Sequence, residues 1–217
     1  MPIKFISLNK SFIEKIKKYN YESYNINIQD YIPNKNKITF YVSPGNSLCF
    51  MDGGIDLALS TILFPKCDLV LKQIVSTLGF KTKLDRFYLP IGSSIILNSN
   101  YDNIKLICAP TMLLPQNING TNNVYFAIMS ILSNILINNN LQINDVDILL
   151  TSFGCGYGKL SEDESIRQIL KAINDYSTYT PKFFNKNIAI CEPNLNEQPK
   201  YYQNTEWLDI DYNQIII

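Results

Sequence analysis

Two glycine-bearing loops constrain this chain more than any other feature, because each lies between an apolar β-branched run and a helical pattern. The first reads Ser43-Pro44-Gly45-Asn46-Ser47-Leu48-Cys49-Phe50-Met51-Asp52-Gly53-Gly54-Ile55-Asp56, after Ile38–Val42 and ahead of a helical pattern ending near Phe64. The second reads Ser152-Phe153-Gly154-Cys155-Gly156-Tyr157-Gly158-Lys159, after Asp147–Thr151 and ahead of a helix at Glu162. In an open α/β sheet, ligands bind outside the carboxyl ends of the strands. Glycine lets backbone approach a ligand closely, and free N–H groups at a helix start attract phosphate oxygens. Two such loops predict a clamp on two sides of a diphosphate.

The rest of the pattern agrees with an α/β fold. Strands are expected at Ile3–Leu8, Tyr24–Gln29, Ile38–Val42, Phe87–Leu89, Ser94–Leu97, Ile104–Ala109 and Asp147–Thr151. Helices are expected at Lys10–Tyr19, Gly54–Phe64, Lys66–Leu78, Asn122–Asn138 and Glu162–Tyr176. Thr121 or Asn122 can cap one helix, Asp52 another, and Ser161 to Glu164 has the form of a capping box. The chain's 217 residues suit one domain over 1–180. An irregular extension over 181–217, with a short strand at Asn187–Cys191, is expected to pack on it. Its end, Trp207–Ile217, is apolar enough to dock on the domain or on another chain.

Composition narrows the chemistry. The chain has no histidine, which excludes Ser-His and Cys-His catalysis and imidazole metal ligands. Its five cysteines (Cys49, Cys67, Cys108, Cys155, Cys191) are scattered without a C-x-x-C, so reduced thiols and no metal are expected. Lys and Arg total 19 against 19 Asp and Glu, so no overall basic surface for nucleic acid arises. Met1–Leu8 lacks a signal-peptide apolar core, and no run reaches the roughly 18 apolar residues of a membrane span. A cytoplasmic, reducing location without membrane attachment is the expectation.

Known phosphate loops do not fit. A Walker A motif fails because Phe153 takes the first glycine position and Leu160 follows Gly158-Lys159. The dinucleotide fingerprint fails because Lys159 stands where its last glycine belongs, and the kinase loop lacks its partner motifs. The stretch Ser43 to Leu59 instead resembles the first binding loop of macrodomains, with Asn46 at the second asparagine of their turn and Ser43 replacing the first. Gly154-Cys155-Gly156-Tyr157-Gly158 resembles their phosphate loop, with Cys155 in a small-residue position. Asn27 to Tyr31 resembles their strand end, and Ala109-Pro110-Thr111-Met112 and Asn122 to Tyr125 resemble a divergent subgroup. The likeness spans roughly Phe5 to Tyr176.

That resemblance implies a three-layer α/β/α fold with a mixed central sheet that binds ADP-ribose, free or carried by a protein or small molecule, with no further cofactor. Asp30 would accept a hydrogen bond from the adenine amino group. Gly53, Gly54, Ile55, Gly154, Cys155, Gly156, Tyr157 and Gly158 would hold the diphosphate, and Asn46 the distal ribose. In hydrolases of the MacroD type an aspartate follows Gly-Gly-Val, and here Asp56 follows Gly53-Gly54-Ile55, ten residues after Asn46. Asn46 and Asp56 are therefore the catalytic candidates for removing ADP-ribose from a side chain, a phosphate or an acetyl group.

Other readings stay open on the residues alone. Asp56 also suits a first-turn acid facing a helix start, and Asp30 and Asn46 suit turns. A non-catalytic reader of ADP-ribose, or a structural part that keeps the fold without a ligand, would carry the same glycines.

Overall fold

The computed structural model describes residues 2–191, apart from 83–84, 140, 179–181 and 186. Eight strands form one sheet: β1 (Ile3–Ile6), β2 (Glu22–Tyr24), β3 (Ile38–Ser43), β4 (Ser93–Asn98), β5 (Ile104–Cys108), β6 (Val146–Leu150), β7 (Lys182–Asn185) and β8 (Ile188–Ile190). Their order is β2-β1-β6-β3-β5-β4-β8-β7. The first five run parallel, and β4, β8 and β7 pair antiparallel, so the sheet is mixed.

Five helices cover the two faces: α1 (Lys10–Lys17), α2 (Gly54–Ala58), α3 (Cys67–Leu78), α4 (Asn123–Leu132) and α5 (Glu162–Asp175). The central strands alternate between two apolar layers, which is why they read as unbroken hydrophobic runs. Phe40, Val42, Ile148 and Leu150 meet α1, α4 and α5 on one face, through Phe12, Ile13, Ile128 and Ile169. Tyr41, Leu106 and Leu149 meet Leu59, Leu71 and Val75 on the other. The architecture is therefore the three-layer α/β/α arrangement.

Local chemistry sets the helix starts. Asn9 Oδ1 accepts from the Phe12 N–H at the head of α1, and Ser161 Oγ accepts from Glu164 N–H at the head of α5. Glu162 ties the two heads together, accepting from Asn9 Nδ2 at 2.8 Å and Ser11 Oγ at 2.6 Å. Glu164 binds Arg167 and Gln168 instead of reaching back, so only half of the capping box forms.

Several expectations need correction. The strand expected at Tyr24–Gln29 stops at Tyr24, because Asn27 Oδ1 accepts from Gln29 N–H and turns the chain into a 3-10 turn at Ile28–Asp30. Phe87–Leu89 makes only an isolated bridge from Phe87 to Lys81. Its next N–H groups go to the Phe80 carbonyl and, across the molecule, to the Ser47 carbonyl, so no strand ladder develops. Asp52 does not cap α2; Gly53 holds that position without a side-chain bond. The helices expected to run to Phe64 and Asn138 both finish as π-helical turns, at Leu59–Leu63 and Ser133–Asn138. The chain continues past residue 180 as the β7–β8 hairpin, with β8 paired to β4, while Trp207–Ile217 lies outside the described residues.

At the amino end of the parallel strands, Asp147 is 1% exposed and accepts ion pairs from Lys4 at 3.1 Å and Lys37 at 3.3 Å. Burial works against the Lys4 charge, but hydrogen bonds to Tyr31, Asp147 and Glu22 outweigh it and hold its pKa above the usual lysine value. Replacing Asp147 by Ala removes the buried acceptor that the half-buried Lys4 and Lys37 share, which is expected to cost about 1–3 kcal/mol. Urea denaturation of Asp147→Ala against the native chain is expected to show that loss.

Candidate functional site

The strand order puts the carboxyl ends of β1, β6, β3 and β5 side by side, and a cavity of about 450 Å³ opens over them. One side is apolar, formed by Leu8 after β1 and by Ile26 and Ile28 after β2. The middle lies under the loop that follows β6. The far side is formed by Asn46 after β3 and by Thr111, Met112 and Pro115 after β5. Both glycine loops contribute to the lining, Gly53, Gly54 and Ile55 from one and Gly154, Gly156, Tyr157 and Gly158 from the other.

The first loop is held by hydrogen bonds that continue the β3–β5 pairing beyond the strands. Ala109 N–H donates to the Ser43 carbonyl, Thr111 N–H to Gly45 and Ser47 N–H to Met112. The Thr111 hydroxyl donates to the Pro44 carbonyl at 3.0 Å. Asn46 closes the turn on itself, its Nδ2 donating to the Phe50 carbonyl at 3.0 Å and its Oδ1 accepting from Phe50 N–H at 3.3 Å. Beyond it, the N–H groups of Gly54, Ile55 and Asp56 have no acceptor among the described residues.

The second loop depends on two glycines packed against each other. Gly154 has φ +71°, and a Cβ on Gly158 would lie 2.4 Å from the Gly154 carbonyl oxygen and 2.9 Å from Ile118 Cγ1. Leu160 N–H donates to the Gly154 carbonyl and Ile118 N–H to that of Gly158, which fixes the turn from both sides. The N–H groups of Gly156, Tyr157 and Gly158 have no acceptor among the described residues. The Tyr157 ring, 64% exposed, reaches across to the first loop, with Cε2 3.9 Å from where a Gly53 Cβ would stand.

Of the residues singled out in the sequence, Asn46, Gly53, Gly54, Ile55, Asp56, Gly154, Gly156, Tyr157 and Gly158 line this one cavity. Asp30 and Cys155 do not. Asp30 is exposed at the end of its 3-10 turn, and Asn27 and Ile28 face the cavity in its place. Cys155 directs its thiol to the Phe153 carbonyl at 3.6 Å, and burial raises its pKa, so the loop does not activate it. Lys159, exposed with φ +54°, is not part of the lining either. Asn27, Ser7 and Ser152 also line the cavity and were not legible as site residues in the sequence; the last two share a hydroxyl contact of 3.2 Å. An Asn two residues before a capped Gln was the available signal for Asn27.

Asp56 has the most altered chemistry in the cavity. Its carboxyl pKa is pushed up to about 7, first by burial and further by the Asp52 charge, with a hydrogen bond from Ser43 working against the rise. Ser43 is fully buried and its hydroxyl donates to Asp56 Oδ1 at 2.6 Å. The printed side-chain bond falls on Oδ1 alone, and Oδ2 lies 3.1 Å from where a Gly45 Cβ would stand, so glycine there makes room for it. A carboxyl that titrates near neutrality, with one oxygen held by a hydroxyl, can take up or give a proton at physiological pH. All five cysteines are free thiols, and no group of residues suited to a metal ion occurs among the described residues. Among them, too, no helix is long and apolar enough to cross a membrane.

Two outcomes follow for variants. Gly158→Ala must displace backbone and is expected to cost about 1–3 kcal/mol. Gly156→Ala, whose Cβ would meet nothing within 4 Å, is expected to leave thermal stability nearly unchanged. Paired melting curves check this contrast. Asp56 keeps its proton in the folded chain up to about pH 7, whereas its ordinary value is 3.8, so its contribution to stability is full at low pH and is lost as pH rises toward 7. Asp56→Asn keeps an acceptor for Ser43 and removes this term. Its stability relative to the native chain is expected to increase across that window and level off above it, as read from denaturation at a series of pH values.

No protein-family model matches the chain, and no curated protein matches it. Among solved structures, the chain is similar to the macrodomain of Mycobacterium tuberculosis DarG, with a TM-score of 0.48 and 14% sequence identity over 67% of this chain and 89% of that one.

Proposed function

We propose that this chain binds ADP-ribose and hydrolyses an ADP-ribose derivative at the distal ribose. The observation that carries the reading is the pair of glycine loops facing each other across one cavity, each with N–H groups left without acceptors. Such groups bind phosphate oxygens without needing a cation. The resemblance of both loops to those of macrodomains points to the same ligand.

The lining supports one direction for the ligand. The apolar side formed by Leu8, Ile26 and Ile28 suits the faces of a nucleobase, with the Asn27 amide at its edge. The diphosphate would lie between the loops. The distal ribose would then lie over β3 and β5, beside Asn46 and Asp56. There Asp56 Oδ2 acts as general base: it takes a proton from water as the water oxygen bonds to the anomeric carbon C1″ and the bond to the leaving oxygen breaks. Proton transfer of this kind contributes about 10²–10⁴-fold. Because both ends of the Asn46 amide are engaged by the Phe50 backbone, its part is to shape the turn beside the ribose rather than to move a proton.

That same engagement of Asn46 favours, as a second reading, a non-catalytic reader of ADP-ribose. Titration calorimetry with ADP-ribose, ADP, AMP and NAD tests the shared part, and selective binding of ADP-ribose is expected. Turnover of a mono-ADP-ribosylated protein, with the native chain and Asp56→Asn, separates the two readings. The hydrolase predicts kcat/KM rising with pH through about 7, where Asp56 loses its proton. It also predicts at least about a hundredfold loss of kcat in Asp56→Asn with affinity nearly unchanged. Binding without turnover in either form is the reader's result. No binding of any of the four ligands would leave the structural part.

A further inference from the structure

Two strings that the hydrolase reading leaves unused, Ala109-Pro110-Thr111-Met112 and Asn122-Asn123-Val124-Tyr125, meet in the structure. Asn123 is the first residue of α4, fully buried ahead of the core residues Val124, Phe126, Ala127 and Ile128. Its side chain does not cap the helix. Instead its Nδ2 donates to the Thr111 carbonyl, twelve residues back, at 2.8 Å. Its Oδ1 is buried without a hydrogen-bond partner among the described residues. A polar atom buried unpaired destabilises a fold, so the bond to Thr111 is what this side chain contributes.

The head of α4 is itself fixed. Gln168 of α5, 1% exposed, accepts from Tyr125 N–H at 3.1 Å and donates to the Thr121 carbonyl at 2.7 Å. Asn123 therefore reaches Thr111 from a rigid base. Thr111 passes the constraint on, its N–H donating to the Gly45 carbonyl at 3.1 Å and its hydroxyl to the Pro44 carbonyl at 3.0 Å. The Pro44–Gly45 turn is the wall against Asp56, whose Oδ2 lies 3.1 Å from where a Gly45 Cβ would stand. A line of bonds thus runs from α4 to the wall beside one carboxylate oxygen, while Ser43 holds the other.

We propose that Asn123 is a positioning residue for Asp56, holding the Pro44–Gly45 turn closed against Oδ2 by way of Thr111. Its bearing on catalysis rests on the reading of Asp56 as general base. Few titratable groups act on that acid. Asp52 is the charge that acts on it, and the thiols of Cys49, Cys67 and Cys108 feel its own charge. Burial raises all three thiols, so they stay protonated and uncharged at neutral pH. A moved Asp56 midpoint after a change at 123 or 111 therefore reports the wall and not a new charge. An opened wall admits water, eases ionisation of the buried acid and brings its midpoint down from about 7.

The test is the titration of Asp56 in the full chain, followed by NMR at the carboxyl resonance that Asp56→Asn removes. Asn123→Ala and Thr111→Val are each expected to increase its ionisation constant at least about threefold. Thr111→Ser, which keeps the hydroxyl, is expected to match the native chain. Ile16→Ala, on the buried face of α1 and outside the cavity lining, is expected to lower thermal stability without moving the midpoint. Should Asn123→Ala fail to fold, the two Thr111 variants decide. A midpoint that Thr111→Val leaves in place, or that Ile16→Ala moves as far, makes the role structural and overturns the proposal. In turnover of a mono-ADP-ribosylated protein, the rise of kcat/KM with pH is expected to move down with the midpoint, and a profile that stays in place while the midpoint moves also overturns it. Absence of ADP-ribose binding would overturn the reading of the ligand, while the titration, which needs no ligand, still decides the part played by Asn123.

Discussion

The pairing between β3 and β5 does not stop where the strands do, and the cavity end of the molecule depends on that continuation. Three backbone hydrogen bonds run on through Ser43, Gly45 and Ser47 to the segment Ala109–Met112. They hold the Pro44–Gly45 turn as firmly as a strand. That turn is a wall of the cavity, and the glycine in it leaves room for the Asp56 carboxylate. Ser43, last residue of β3, faces away from solvent and gives its hydroxyl proton to the same carboxylate. A single stretch of extended backbone thus places the acid, shapes its surroundings and forms one side of the cavity.

The parts of this arrangement that rest on local chemistry were legible in the sequence. Glycines 154, 156 and 158 after an apolar run announced a turn with exposed N–H groups, and Gly53-Gly54 announced a helix start, although the side-chain cap expected from Asp52 does not form. The α/β class followed from apolar runs alternating with helical patterns, and the three-layer arrangement from the resemblance carried by the two loops. What escaped were outcomes decided by competition between nearby partners. Asn27 lies in a run with strand character, yet its side-chain oxygen captures the Gln29 N–H and bends the chain, which brings Asn27 rather than Asp30 to the cavity. Asn46 lines the cavity, but the bonds of its amide across the turn to Phe50 were not visible in the sequence. Leu89 gives its N–H to Ser47, a partner far away in sequence that no local pattern reveals.

The distribution of charge follows the same division of ends. Lys4 and Lys37, both half-buried, meet the buried Asp147 where the parallel strands begin, with Glu22 pairing Lys4 as well. Where those strands finish, the cavity depends on uncharged backbone donors and contains only acids among its ionisable carboxylate and amine groups. Backbone donors are fixed in direction and need no counterion, so they hold an anion without lowering the pKa of a nearby acid as an arginine would. Asp56 keeps the pKa that burial raises because no cation in the lining offsets it, although loop N–H groups without acceptors border the same cavity.

The π-helical turn after α2 links this site to the core in another way. Phe64 N–H reaches back five residues to the Leu59 carbonyl, so the turn holds one residue more than an α-helix would. Leu59 and Phe64 are both buried in the layer beneath the sheet, whereas Asp56, one turn earlier, faces the cavity. Each residue of a helix advances it by about 100°. Shortening this segment by a single residue would therefore act as a rotation: with Phe64 still anchored, Gly54 to Asp56 would swing away from the Pro44–Gly45 turn. Chain length between Ala58 and Phe64 is accordingly part of the site's geometry, and drift in it would separate the acid from Ser43 even if every lining residue were kept.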